Sequence, residues 1–156
     1  MQLAPKDQAD FAARARASVA FASAPDQEGT INSALGLTFE DCDLAGRSLT
    51  LSVAIQPWMR NPSGSTVHGG VSAAVADHAM GSLAFSMLDC LFTPTVSLSL
   101  TYLQPVRVDR RLFITAHLES CGGRLLTLTA RAWSQGEAEA AFVATGTFYI
   151  IRELQK

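Results

Sequence analysis

The sequence predicts an α+β fold in which a curved antiparallel sheet wraps around one central apolar helix. The helix is predicted over residues 69–88, a stretch that is apolar on nearly every side. Such a helix is stable only when other elements enclose it. Most of the remaining chain has strand patterns, so a sheet is the element available to enclose the helix.

The length and charge of the chain limit both its architecture and its partners. At 156 residues it has the size of one domain, and we expect a single domain over 1–156. Its net charge is −2 and no cluster of Lys or Arg occurs, which argues against nucleic acid as a partner. The lysines are Lys6 and Lys156 alone, so we expect no membrane partner either.

The cysteines and histidines form neither a disulfide pattern nor a metal-binding pattern. Cys42, Cys90 and Cys121 are an odd, scattered set without a CxxC motif. Such a set is typical of reduced thiols. Because charged residues also interrupt the apolar run that a signal peptide needs, we expect a cytoplasmic protein. His68 and His78 lack HExxH spacing and glycine-rich phosphate motifs are absent, so we expect no metal and no cofactor.

The first elements are predicted from helical periodicity. Residues 6–22 are expected to form an amphipathic helix on the outside of the domain, because apolar residues recur at spacings of three and four. Those residues are Phe11, Ala15, Val19 and Ala22. Pro25 and Gly29 end the helix, and a short helical turn is expected around residues 31–35.

Six strands are predicted from alternating apolar and polar residues. Two precede the central helix, with Gly46 in the turn between them, and four follow it. Their ranges are 37–44, 48–55, 95–103, about 112–118, 125–133 and about 138–151. In the third strand, one apolar face is predicted to hold Val96, Leu98, Leu100 and Tyr102.

The start of the central helix suggests a site for a carbonyl oxygen. Gly69 and Gly70 directly follow His68. The first N–H groups of a helix lack intrahelical acceptors, and glycine lets a substrate oxygen approach them closely. This arrangement suits an oxyanion site. Alternatively, the two glycines only allow the loop to turn tightly against the sheet.

Asp77 is a carboxylate in the middle of the apolar helix. It lies too far from the helix start to act as a cap, and a desolvated carboxylate is costly. Asp77 and His78 would each cost roughly 2–3 kcal/mol in lipid, so we expect a core helix and not a membrane span. A carboxylate in this position suits a nucleophile or a general base. Alternatively, hydroxyl groups or His78 satisfy it as a structural residue.

Helix geometry separates the two candidate groups. Eight residues place Asp77 about 12 Å along the helix from Gly69 and about 80° around it. One chain therefore cannot direct both groups at the same carbonyl. Two antiparallel copies of the helix could pair Gly69 of one with Asp77 of the other. If both residues are catalytic, the enzyme is an obligate dimer.

The run NPSGSTVHGGVSAAVADHAMG, residues 61–81, resembles the signature of hotdog-fold acyl-CoA thioesterases of the phenylacetate-pathway (PaaI-like) branch. In that family an Asn-containing loop precedes HGG, and an Asp lies nine residues after the His, as Asp77 follows His68 here. The segments TVSLSLTYLQPV, GGRLLTLTARAW and ATGTFYI are also similar, so the resemblance covers about residues 30–151. The loop from Asn61 to His68 is one residue longer than the family usually has.

The resemblance implies a hotdog fold and hydrolysis of the thioester of a medium-chain or aromatic acyl-CoA. Asp77 would attack the thioester or activate a water, and the Gly69 N–H would polarise the carbonyl. His68 would support the loop or touch the thioester. Asn61 would position the water or the carbonyl, and Thr95 would help to hold the water near Asp77.

The resemblance also implies substrate-binding positions and an assembly. Sites between subunits imply a homodimer, often paired into a tetramer. Arg124, after the Gly122–Gly123 turn, would contact CoA, unless it is an ordinary cation at a hairpin end. Small residues on the helix would leave room for the acyl group. The substrate-binding residues predicted in this way are Gly70, Gly81, Val96 and Arg124.

Two other functions are compatible with this fold. A non-catalytic acyl-CoA-binding domain is the main alternative, although such a domain is expected to have lost the Asp that is present here. A hydratase or dehydratase would need a His and an acid placed together. His78 does not serve that purpose beside Asp77, because adjacent helical residues point about 100° apart.

Overall fold

In the computed structural model, which describes residues 3–152, six strands form one antiparallel sheet. The predicted domain over 1–156 also includes residues 1–2 and 153–156, which lie outside the described residues. The strands are β1 (Thr38–Asp43), β2 (Ser48–Val53), β3 (Thr95–Tyr102), β4 (Leu112–Cys121), β5 (Leu125–Ser134) and β6 (Phe142–Tyr149). Their order in the sheet is β1-β2-β4-β5-β6-β3.

The sheet encloses the central helix α3, Gly69–Met87, as the sequence predicts. The helix packs against β2, β3, β4, β5 and β6, and its buried face includes Ala76, Ala79, Met80 and Leu83. Alternate residues of β4 and β5 supply the opposing apolar layer, because successive strand residues point to opposite faces. Within residues 3–152, no helix is long and apolar enough to cross a membrane.

The N-terminal helix α1 runs from Gln8 to Ala22, two residues shorter at its start than predicted. Asp7 is the reason, because its side chain accepts the Asp10 N–H at 2.9 Å and so caps the helix. The four predicted apolar residues of α1 are all buried, and the helix packs on α3 and β1. A short helix α2, Ile31–Leu35, ends at Gly36, whose φ of 59° is left-handed.

The two edges of the sheet differ. At β1, the Gln8 side chain donates to the Cys42 carbonyl at 2.6 Å and accepts the Leu44 N–H at 2.8 Å, so α1 covers that edge. At the other edge, β3 pairs with β6 alone among the described residues. Val96 lies at an irregularity of this pairing and is 60% exposed.

Two strand predictions need correction. The last strand begins at Phe142 and not near residue 138, because a turn closed by the Glu137 N–H on the Ser134 carbonyl precedes it. The predicted apolar face of β3 is only half-buried at Leu98 and Leu100. Val96 and Tyr102 are exposed, because β3 is an edge strand.

Candidate active site

His68 fixes the first turn of α3. It is the N-cap residue, and its Nδ1 accepts the Gly70 N–H at 3.0 Å. Its own N–H donates to the carbonyl of the buried Met59 at 2.8 Å. The loop that brings the chain to the helix is therefore held at both the backbone and the side chain of this residue.

The N–H groups of the two glycines are in different states. The Gly70 N–H is already donated to His68, so it is not free to bind a substrate oxygen as predicted. The Gly69 N–H has no acceptor within residues 3–152. Of the two glycines, Gly69 therefore carries the donor that a carbonyl oxygen could use, and it lies at the positive end of the helix.

Tyr102 is a residue of this region that the sequence interpretation missed. Its hydroxyl donates to the Gly69 carbonyl at 2.7 Å. A Cβ added at Gly69 would lie 3.3 Å from the same hydroxyl oxygen, so the glycine allows this close approach. The strand pattern predicts Tyr102 only as an apolar residue of β3. The one feature of the sequence that could have identified its role is a tyrosine hydroxyl at the end of a strand.

Asp77 is half-buried, and it lies on a different side of α3 from the two glycines. Thr95, the first residue of β3, donates its hydroxyl to Asp77 Oδ1 at 2.6 Å. The structure thus brings together two residues that the sequence predicts to act together. A hydroxyl partner is also what a structural Asp would have, so this contact alone leaves both interpretations of Asp77 open.

A cavity of about 540 Å³ opens beside Asp77, between α1, α3 and residues 91–95. This volume is in the range of small-molecule sites. Gly81 lines it, so its predicted role in substrate binding stays a prediction at this position, and Phe85 and Phe148 supply apolar walls. Val96 does not line it, because the irregular start of β3 turns this residue to the exterior. The placement of α1 makes it a wall of the same cavity.

His78 is the buried titratable residue of this cavity. The residue is 6% exposed, and its Nδ1 has no hydrogen-bond partner among residues 3–152. Burial lowers the pKa of His78 from 6.5 to about 4, although the neighbouring Asp77 opposes the shift. The imidazole is therefore neutral at pH 7. The Thr95 hydroxyl, and not this ring, is the partner of Asp77 in the structure.

Asn61 is engaged within its own loop. Its amide nitrogen donates to the Thr66 hydroxyl, and its amide oxygen accepts the Ser63 hydroxyl at 2.5 Å. Its backbone N–H also donates to the Thr66 carbonyl at 2.9 Å. Asn61 does not line the Asp77 cavity, so the predicted action on water stays a prediction.

The remaining predicted residues lie apart from Asp77. Gly69 and Tyr102 line a different cavity, of about 430 Å³. His68 and Gly70 line a third, beside Trp58. Arg124 is exposed at the β4–β5 hairpin. One protomer therefore does not bring the Gly69 N–H and the Asp77 carboxylate to one cavity, as the helix arithmetic predicts.

Comparisons with known proteins identify the family. The model of the thioesterase superfamily matches residues 64–141, which is half of the chain. A phenylacetic acid degradation-related protein from Ralstonia eutropha JMP134 is 25% identical, with a TM-score of 0.74 over 88% of this chain and 98% of that one. No curated protein sequence matches the chain.

Two further solved structures share the fold. The E. coli PaaI protein, from the phenylacetic acid degradation operon, is 18% identical with a TM-score of 0.69, over 87% of this chain and 95% of that one. A thioesterase protein with coenzyme A from Streptococcus pneumoniae TIGR4 is 18% identical with a TM-score of 0.66, over 76% of this chain and 88% of that one. With its helix-wrapping sheet, the chain belongs to the thioesterase superfamily, and it is a PaaI-like hotdog-fold thioester hydrolase.

Proposed function

We propose that this enzyme hydrolyses the thioester of a medium-chain or aromatic acyl-CoA. The observation that carries the proposal is the Asp77–Thr95 pair on the wall of a largely apolar cavity. An apolar cavity suits a hydrocarbon or ring, and a carboxylate at its wall can act on the thioester. The coenzyme A of the S. pneumoniae neighbour supports CoA as the carrier.

Asp77 acts as a general base or as a nucleophile. As a base it takes a proton from water, whose oxygen forms a bond to the thioester carbon. The carbonyl oxygen becomes an oxyanion, which accepts the Gly69 N–H. The C–S bond then breaks, and the CoA sulfur takes the proton from Asp77. As a nucleophile, the carboxylate attacks the same carbon, the C–S bond breaks to give a mixed anhydride and the CoA thiolate, and water then cleaves the anhydride to the free acid and the Asp77 carboxylate.

The two groups meet across a dimer in this proposal. They lie about 12 Å apart on one helix, and they line separate cavities of one protomer. The β3 edge is open, and several apolar side chains beside the cavities are exposed, including Phe85, Leu91 and Tyr102. An unpaired edge with exposed apolar residues favours pairing with a second copy. A tetramer built from two such dimers stays a prediction.

Other residues have supporting roles. His68 holds the Gly69 turn, and Asn61 shapes the preceding loop. Arg124, exposed near the end of the sheet where β3 begins, would contact the CoA phosphates. A cytoplasmic location also stays a prediction.

The deciding experiment measures thiol release from acetyl-, hexanoyl-, decanoyl-, palmitoyl-, benzoyl- and phenylacetyl-CoA by the wild type and Asp77→Ala. We expect turnover that is highest for medium-chain or aromatic esters and is lost in the variant. Turnover within a few-fold in the variant would refute the role of Asp77. Tight binding of the esters without turnover of any of them would instead support a binding domain.

A further inference from the structure

The Asp77 cavity has a polar strip on an otherwise largely apolar wall. The strip consists of Ser18 on α1 and His78 and Ser82 on α3, where Ser82 follows His78 by one helical turn. Phe85 and Phe148 are among the apolar side chains of the wall, and Gln27, Asn32 and Thr93 are further polar residues that line it. A plain hydrocarbon would fill the apolar part but leave the strip without a hydrogen-bonding partner.

His78 is the residue of the strip that lacks a partner. It is more than nine-tenths buried, and its Nδ1 makes no hydrogen bond within the described residues. Buried polar atoms in proteins are nearly always hydrogen-bonded, so an exception calls for a bound partner that completes it. Met or Leu would fill the same volume without leaving a buried polar atom unpaired. The imidazole is therefore unexplained by packing alone.

The chemistry of the ring limits what can bind there. Burial keeps the imidazole neutral at pH 7, so it has one N–H donor and one acceptor nitrogen. An anion or a cation gains no charge partner from it. A hydroxyl group can donate or accept, and so it pairs with either tautomer of the ring.

The position of the ring limits where that hydroxyl lies. Consecutive Cα atoms are about 3.8 Å apart, so His78 is next to the carboxylate that acts on the thioester carbon. Its side chain points about 100° away from that of Asp77, and both residues line the same cavity. The ring is thus beside the first carbons of the acyl group and remote from the far end of a medium-length chain.

We infer that His78 is a specificity-determining residue, which selects acyl-CoA esters with a hydroxyl near the thioester carbonyl over the unsubstituted esters. The inference rests on the proposed function, because it takes the Asp77 cavity as the acyl site. The hydrogen bond forms in the bound substrate and persists through the reaction. It therefore lowers KM for the hydroxylated ester and leaves kcat nearly unchanged.

The test compares octanoyl-CoA, 3-hydroxyoctanoyl-CoA and 8-hydroxyoctanoyl-CoA. For the wild type we expect kcat/KM about tenfold higher for the 3-hydroxy ester than for octanoyl-CoA, the effect of one net hydrogen bond. The 8-hydroxy ester gains no such advantage. In His78→Leu the ratio falls to about one, while octanoyl-CoA turnover stays within a few-fold. The exposed His117→Leu serves as the matched control.

The outcomes separate this inference from the proposed function. Equal 3-hydroxy preference in the wild type and His78→Leu, or no preference in the wild type, would overturn the inference while thioesterase activity stands. Loss of turnover with every ester would overturn the proposed function, and the inference with it. An equal gain from the 8-hydroxy ester would contradict the position assigned to the ring.

A binding measurement covers the case in which His78→Leu does not fold. We would follow the ring ¹⁵N signals of His78 in the wild type on adding octyl-CoA thioether or its 3-hydroxy analogue, which cannot be hydrolysed. A shift with the hydroxylated analogue alone supports the inference. The same response to both analogues, or no response to either, would overturn it.

Discussion

The first turn of α3 and the middle of the same helix offer opposite chemistry. At the first turn, the Gly69 backbone supplies a hydrogen-bond donor, and His68 and Tyr102 hold it in place. In the middle, Asp77 supplies an acceptor, which a single hydroxyl from Thr95 holds. A helix with its donor and its carboxylate about 12 Å apart can serve two half-sites, and under the proposed mechanism a second copy of the chain would complete each one.

The largest effect is expected at the carboxylate. Asp77→Asn keeps the shape of the side chain and the Thr95 contact but removes the base or nucleophile. We expect kcat to fall about a thousandfold, with little change in the thermal midpoint of unfolding. The exposed Asp109→Asn is the control variant. A loss of less than tenfold in Asp77→Asn would show that another group acts on the thioester.

The next effect concerns the donor at the first turn. Gly69→Pro removes the free N–H at a position where helices accept proline, and the extended backbone of His68, with ψ of 136°, is compatible with a following proline. We expect kcat to fall about a hundredfold beyond Gly69→Ala, since one oxyanion donor contributes about that much. Gly69→Ala makes the same Cβ contact with Tyr102 but keeps the N–H. Equal kcat in both variants would argue against this donor.

Mixing these two variants tests whether the half-sites belong to different protomers. Asp77→Asn and Gly69→Pro chains are each nearly inactive alone. After subunit exchange, half of the dimers are mixed and each has one complete site, so about a quarter of the wild-type activity is expected. If both groups of a site came from one protomer, exchanged dimers would show no recovery.

A smaller effect is expected at Thr95. Thr95→Val removes the hydroxyl that donates to Asp77 Oδ1 but keeps the volume of the side chain. We expect kcat to fall about tenfold, the size of one hydrogen bond to a charged group. Thr95→Ser keeps the hydroxyl and should retain most of the activity. The same loss in both variants would indicate packing as the cause.

Periodicity predicts the parts of this fold that depend on near neighbours in sequence. The buried positions of α1 follow from spacings of three and four, the span of α3 follows from a stretch that is apolar on nearly every side, and β4 and β5 follow from alternation. The family resemblance placed Thr95 near Asp77 as a residue that helps to hold water, but it did not predict the direct hydrogen bond between the two side chains. Spacing within one helix was enough to separate Gly69 from Asp77.

The sequence does not predict contacts that depend on where distant elements come to lie. Tyr102 reaches the Gly69 carbonyl across 33 positions because the fold places the end of β3 beside the start of α3. Alternation predicted the strand but not its place in the sheet, and so not the exposure of Val96. The use of the Gly70 N–H by His68 depends on one side-chain rotamer. The α1 wall of the cavity depends on helix packing, which composition does not encode.

The smallest effect is a change of stability with pH that His78 causes. Its pKa is about 4 in the folded protein and about 6.5 when unfolded, so the unfolded chain binds more protons between these values. Stability therefore falls as the pH drops through this range, by about 1 kcal/mol from pH 7 to 5.5. Urea unfolding at several pH values measures this loss, and His78→Leu should lack it. If the wild type and His78→Leu lost stability equally over this range, His78 would not be a buried ring that stays neutral. The polar strip of the cavity would then lack the neutral imidazole assigned to it.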